Sequence, residues 1–191
     1  MLIAALTLLS STSALSCDLA DILHTRAAIT ESNARYTEQR RVHYVTKPIM
    51  AGGHLRYQAP DRLEMIVELP KAESFIYQDG VLTVASGDSG SSKDIAVESQ
   101  VLLSTLFAAL VNTLSGNEAK LRSTFDLSFK ELNEMFTDSG CVWRLSLVPR
   151  EERARAKVSS IDVEGTQGRI EKIVLMLANG DSSMMLIREK E

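Results

Sequence analysis

The sequence predicts a mainly β protein with a few helices: about ten antiparallel strands forming a strongly curved sheet or partial barrel, with helices on one face. Three observations carry this. Short runs alternate apolar and polar residues and are separated by turn residues from Arg35 to Arg188. Two of these runs meet at Ala59-Pro60-Asp61-Arg62. Between the two groups of strands lies one very apolar helical stretch, Val101 to Leu114.

The stretch from Gly53 to Leu69 organises the rest. Leu55 and Tyr57 alternate with polar residues before the proline, and Leu63, Met65, Val67 and Leu69 do so after it. Side chains of a strand change face at every residue, so each set forms one apolar row. Proline lacks an amide hydrogen, which places Pro60 at a turn between two strands.

In chain order, Met1 to Ser16 (MLIAALTLLSSTSALS) is an uncharged apolar run ending in small residues. It is too short to span a bilayer and is expected to be a secretory signal, leaving residues 17–191 as a single domain. The absence of Lys or Arg in its first residues departs from that pattern. Cys17 is then open to lipidation, to pairing with Cys141, the only other cysteine, or to remaining a free thiol. Asp18 to Ser32 has helical spacing at Leu19, Ile22, Leu23, Ala27 and Ile29, with Asp18 as cap.

A strand follows over Arg35 to Val45, and Lys47-Pro48 begins the connection to the next. Ser74 to Tyr77 and Val81 to Ala85 flank Asp79-Gly80, a hairpin signal. Ser86 to Ser92 reads as a mobile loop. The apolar helix presents Leu102, Leu106, Phe107 and Leu110 on a stripe wide enough to imply burial over much of its circumference. Ser115-Gly116-Asn117 closes it and caps a short helix to Phe125. Five strands then run over Leu127–Leu132, Val142–Val148, Val158–Val163, Ile170–Leu177 and Ser183–Arg188. The charged segment Arg150 to Lys157 reads as a solvated connector.

Function classes narrow from composition. A net charge of -4 argues against nucleic acid, which favours basic faces. An apolar content of 45% in 191 residues supports a full core, and seven methionines are soft lining material. Gly87-Asp88-Ser89-Gly90 matches the serine-nucleophile motif of chymotrypsin-type proteases, with His54 and Asp61 or Asp79 upstream. Its spacing and its Ser/Gly-rich context do not fit that fold, so a secreted hydrolase is the weakest alternative. Glu64 and Glu68 read as an exposed strand face. No His/Cys/carboxylate cluster has metal-ligand spacing, so neither cofactor nor metal is expected.

Gly53-His54-Leu55-Arg56-Tyr57-Gln58-Ala59-Pro60-Asp61-Arg62-Leu63 resembles the LolA family, periplasmic carriers of outer-membrane lipoproteins. Tyr36-Thr37-Glu38-Gln39-Arg40, Lys47-Pro48 and Gln78-Asp79-Gly80 agree with it. So do Leu114-Ser115-Gly116-Asn117, the strand from Trp143 to Pro149, and Asn179 to Ile187, which bring the chain closer to the LolA-related subgroup.

The resemblance covers about Ala20 to Arg188 and implies an unclosed antiparallel β-barrel with helices as a lid over a hydrophobic cavity for acyl chains. It places Leu55, Tyr57, Leu63, Met65 and Val67 in that cavity, with Phe75, Tyr77, Trp143, Leu145 and Leu147. Leu102, Leu106, Phe107 and Leu110 would form the lid, and Pro60 and Arg62 the hinge. It implies a periplasmic monomer, not an enzyme, that moves lipoprotein or lipid acyl chains between an inner-membrane donor and an outer-membrane acceptor. An outer-membrane-anchored lipoprotein of similar fold, lipidated at Cys17, is the alternative. The family carries an arginine directly before the hinge proline; here that residue is Ala59. The subgroup's association with clusters that make acylated or aryl-polyene lipids widens the expected cargo beyond lipoproteins.

Overall fold

The strands are laid down in two runs that meet in the middle of one sheet. A computed structural model describes residues 17–86, 97–132 and 140–189. The first run is β1 (Glu31–Arg41), β2 (Ile49–Gln58), β3 (Arg62–Leu69), β4 (Glu73–Gln78) and β5 (Val81–Ser86). The second is β6 (Phe125–Glu131), β7 (Val142–Pro149), β8 (Val158–Thr166), β9 (Arg169–Leu177) and β10 (Ser182–Glu189). Each run is an antiparallel meander, and β10 pairs with β1 from Ala34↔Glu189 to Arg41↔Ser182. The result is one ten-stranded sheet in the order β5-β4-β3-β2-β1-β10-β9-β8-β7-β6. Its edges, β5 and β6, are not joined, so the barrel is open.

That topology fixes where the helices lie. The chain must pass from one edge strand, β5, to the other, β6, and it does so through α2 (Val97–Leu114) and α3 (Glu118–Thr124). α2 packs on β3 and β5 of the first run and on β8 of the second. It therefore spans the inner face of the curled sheet. α1 (Leu19–Ala27) packs on α2, capped by the Asp18 side chain, which accepts from the Asp21 amide. Cys17, immediately before α1, is joined by a disulfide to Cys141 at the start of β7.

Turn chemistry agrees with the sequence. Asp79 (φ 52°) and Gly80 (φ 78°) form the β4–β5 turn, and the Asp61 carboxylate accepts from the Asp79 amide at 3.1 Å. Pro60 lies in the β2–β3 turn, where the Tyr57 hydroxyl donates to its carbonyl. The inward rows are Ala34, Tyr36 and Glu38 on β1, Leu55 and Tyr57 on β2, and Leu63, Met65 and Val67 on β3.

Several boundaries differ from expectation, each for a local reason. α1 stops at Ala27 and β1 already begins at Glu31, because residues 31–34 pair with β2 although their polar composition hides the strand. β1 ends at Arg41 rather than Val45, since Lys47-Pro48 interrupts the partner strand and leaves Tyr44 87% exposed. Leu69 leaves its apolar row and is 65% exposed. Between Gly52 and Gly53 the register slips, pairing Gly53 with Val67 but Gly52 with Leu69, and one residue's slip changes face. Gly53 approaches β3 so closely that a Cβ would overlap the Ile66 carbonyl. α2 begins at Val97, before the expected Val101. The charged connector contains a one-turn helix, α4 (Glu152–Arg155), because Ala154 is buried and α4 packs on α2. The Ser86 to Ser92 loop lies, beyond Ser86, outside the described residues.

Candidate ligand cavity

The space under α2 divides into two unequal parts. Toward the N-terminal half of α2 is a cavity of about 400 Å³. Its apolar wall is made by Met65 and Val67 on β3, Phe75 on β4, and Leu102, Leu103 and Leu106 on α2. Leu175 and Met185 complete it from β9 and β10. Toward the C-terminal half of α2 only about 30 Å³ remains, among Ala34, Leu55, Tyr57, Leu63, Leu110 and Ile187. The larger space falls within the range of small-ligand sites, roughly 300–1,000 Å³. The smaller has room for little more than one water.

The mouth of the larger cavity is polar. Arg40 donates through Nε and Nη2 to the two oxygens of Glu38 at 2.8 and 2.7 Å, and the Ser183 hydroxyl donates to the same carboxylate at 2.5 Å. Glu38 is only 6% exposed; with its charge paired and hydrogen-bonded it is tolerated at that depth. Lys71, Glu73 and Asp181 complete the rim. An apolar interior behind a charged mouth suits an amphiphile: hydrocarbon inside, head group outside.

The structure sorts the sequence-derived residues into three groups. Met65, Val67, Phe75, Leu102 and Leu106 line the 400 Å³ cavity. Leu55, Tyr57, Leu63 and Leu110 surround the small void. Trp143, Leu145, Leu147 and Phe107 are fully buried and border neither space, while Tyr77 stacks on Phe107 at 6.0 Å between ring centroids. The Trp143 indole N–H donates to the Gln167 carbonyl, so it anchors the β7–β9 half of the core. The half of the sheet furnished by β6–β8 is thus packed, and the hollow belongs to β1, β3, β4, β9 and β10.

The hinge pair is placed at one end of the sheet. Arg62 donates to the Gln78 side-chain oxygen of β4 at 3.0 Å. The cation turned inward is instead Arg26 of α1. It is fully buried and donates to the Gly168 carbonyl at 2.9 Å, with Glu189 at 3.5 Å. Burial lowers its pKa, and Glu189 opposes that shift. Sequence reasoning passed over Arg26, because an arginine at the end of a short helix reads as a solvated dipole partner. Leu103, Leu175 and Met185 were also missed as lining. Leu175 and Met185 follow the period-2 rows of β9 and β10 and were recoverable.

A wider groove of about 710 Å³ runs along β1–β3, but it is bordered by Glu31, His54, Arg56, Glu68 and Glu189. His54 pairs there with Glu68 at 2.9 Å. Such a charged lining is poor for hydrocarbon. It also occupies the histidine of the hydrolase alternative, whose Ser89 lies outside the described residues. Among the described residues there is no cluster that could hold a metal ion, and no helix is long and apolar enough to cross a membrane.

No protein-family description matches the chain, and no curated protein matches it in sequence. Solved structures do show likeness. A LolA superfamily protein from Nitrosomonas europaea is 9% identical, with TM-score 0.44, over 87% of this chain and 90% of that one. A putative outer membrane lipoprotein-sorting protein domain from Vibrio parahaemolyticus is 10% identical, with TM-score 0.45, over 90% and 91%. The MucA/MucB complex of Pseudomonas aeruginosa aligns at 13% identity and TM-score 0.43 over 91% of this chain but only 57% of that one.

Proposed function

We propose that this chain is a lipid-carrying or lipid-binding protein of the bacterial envelope, which shields acyl chains in the cavity beneath α2. The observation that carries this is the 400 Å³ space walled by Met65, Val67, Phe75, Leu102 and Leu106 behind the Glu38–Arg40–Ser183 rim. Each buried methylene contributes about 0.8 kcal/mol, so about ten would supply roughly 8 kcal/mol, a ceiling near micromolar affinity before ordering costs. No polar anchor is required for that. Loading a longer chain requires α2 to shift and open the small void as well, which makes α2 the lid.

The finer reading is a periplasmic, non-enzymatic monomer that moves the acyl chains of a lipoprotein or another lipid from an inner-membrane donor to an outer-membrane acceptor. It draws on the sequence resemblance in the Gly53–Leu63 segment and on the expected signal over Met1 to Ser16. The disulfide at Cys17 uses the thiol that lipidation would need, which favours a carrier free of the membrane over an anchored lipoprotein. To test the reading, the protein is purified from the envelope under mild conditions and its bound lipid is extracted for mass spectrometry. Stoichiometric acylated lipid supports a carrier; an empty extract from a protein that also takes up no fatty acid overturns it. A diacylglyceryl group on Cys17 would instead establish the anchored form.

A further inference from the structure

Three buried side-chain atoms among the described residues have no hydrogen-bond partner: Arg26 Nε and Nη2, and the Tyr36 hydroxyl. Arg26 already spends its Nη1 on Gly168 and Glu189. The Tyr36 hydroxyl has nothing, although the residue is 2% exposed. A buried, orphaned hydroxyl is uncommon in a folded protein and calls for a partner. Its position suggests one. Tyr36 belongs to the inward row of β1, between Ala34, which borders the small void, and Glu38, which borders the 400 Å³ cavity. Across the sheet, Ile187 beside it on β10 borders the small void, and Gly53 beside it on β2 contributes no side chain. Tyr36 itself borders neither space as α2 now lies, but its neighbours along the row border one each, so a chain that fills both after α2 shifts must pass it.

Resting on the lipid-carrier reading, we propose that the cavity selects ester- or amide-linked acyl chains over plain hydrocarbon, the Tyr36 hydroxyl donating a hydrogen bond to the ligand's carbonyl oxygen. The tail occupies the apolar walls on either side of Tyr36, and the head group leaves past Glu38, Arg40 and Ser183. Burial, with Glu38 adding to it, raises the Tyr36 pKa to about 12. The group thus keeps its proton, and remains a donor, throughout the neutral range.

The test displaces a bound apolar dye, N-phenyl-1-naphthylamine, with 1-palmitoylglycerol (an ester) or 1-hexadecylglycerol (the matching ether without a carbonyl). The wild type is expected to prefer the ester about five- to tenfold, and Tyr36→Phe to lose that preference while binding the ether as the wild type does. In the wild type, the infrared band of a carbonyl-labelled ester is expected to lie at lower frequency when bound than in hexadecane, where no donor is present. Equal affinity for ester and ether in the wild type, or a bound carbonyl band at the hexadecane frequency, overturns the proposal while leaving the carrier reading intact. Neither result requires the variant to fold. A wild type that binds neither the dye nor either lipid overturns both.

Discussion

Gly116, just past α2, lies directly against the N-terminal helix α1. It sits at φ 65° after α2, and a Cβ there would overlap the Leu23 carbonyl of α1 and crowd Ala27. Gly116→Ala is expected to cost about 1–3 kcal/mol, read as a lower urea midpoint with an unchanged slope. Glu164 supplies a pH signature. Burial would raise its pKa, but hydrogen bonds from Lys172 (2.7 Å) and Arg144 (2.8 Å) outweigh that and hold it below the ordinary value. A carboxylate with a depressed folded pKa adds stability above its unfolded value near 4.5, and that stability is lost as pH falls through the lower folded one. Glu164→Gln should therefore lower the urea midpoint at pH 7 and flatten its decline as the pH falls below the ordinary carboxylate range. An equally steep decline in the variant would assign that loss to other carboxylates.

At the scale of elements, the disulfide and Arg26 share one task, holding α1 to the sheet. Cys17 and Cys141 close a loop of 124 residues, which in the chain-entropy treatment contributes on the order of 4–5 kcal/mol. A Cys17→Ser/Cys141→Ser double variant should lose much of that in denaturant unfolding, and reductant should destabilise the wild type to the same extent. A double variant as stable as the oxidised wild type would show that the bond is not formed in solution. Most elements were legible from the sequence because local chemistry and long-range packing agree on them. Asp79-Gly80 makes the turn it advertises, and the alternation from Leu63 to Val67 is an inward row. The exceptions have long-range causes. The polar start of β1 is a strand only because β2 offers it partners, and Leu69 turns outward only because the ladder slips beside Gly53. In the same way, Trp143 and Met65 carry the same inward signal on their strands. Only the position of α2 decides that the first is packed core and the second a cavity wall.

Over the whole molecule, the proposed function rests on an unequal filling. The edge-to-edge route of α2 covers one inner face, yet the β6–β8 side is packed tight while the β1, β3, β4, β9 and β10 side keeps a hollow. A protein selected only for stability would close that space, since apolar wall left unburied forgoes about 25 cal/mol per Å². The most direct test is a titration with a fluorescent fatty acid, comparing the wild type with Leu106→Trp. Leu106 is 8% exposed on α2 and faces the cavity, so the indole should fill it. The account predicts saturable binding by the wild type and an affinity at least tenfold weaker in the variant, with the thermal midpoint retained or raised. Undiminished binding by a folded Leu106→Trp protein would contradict it.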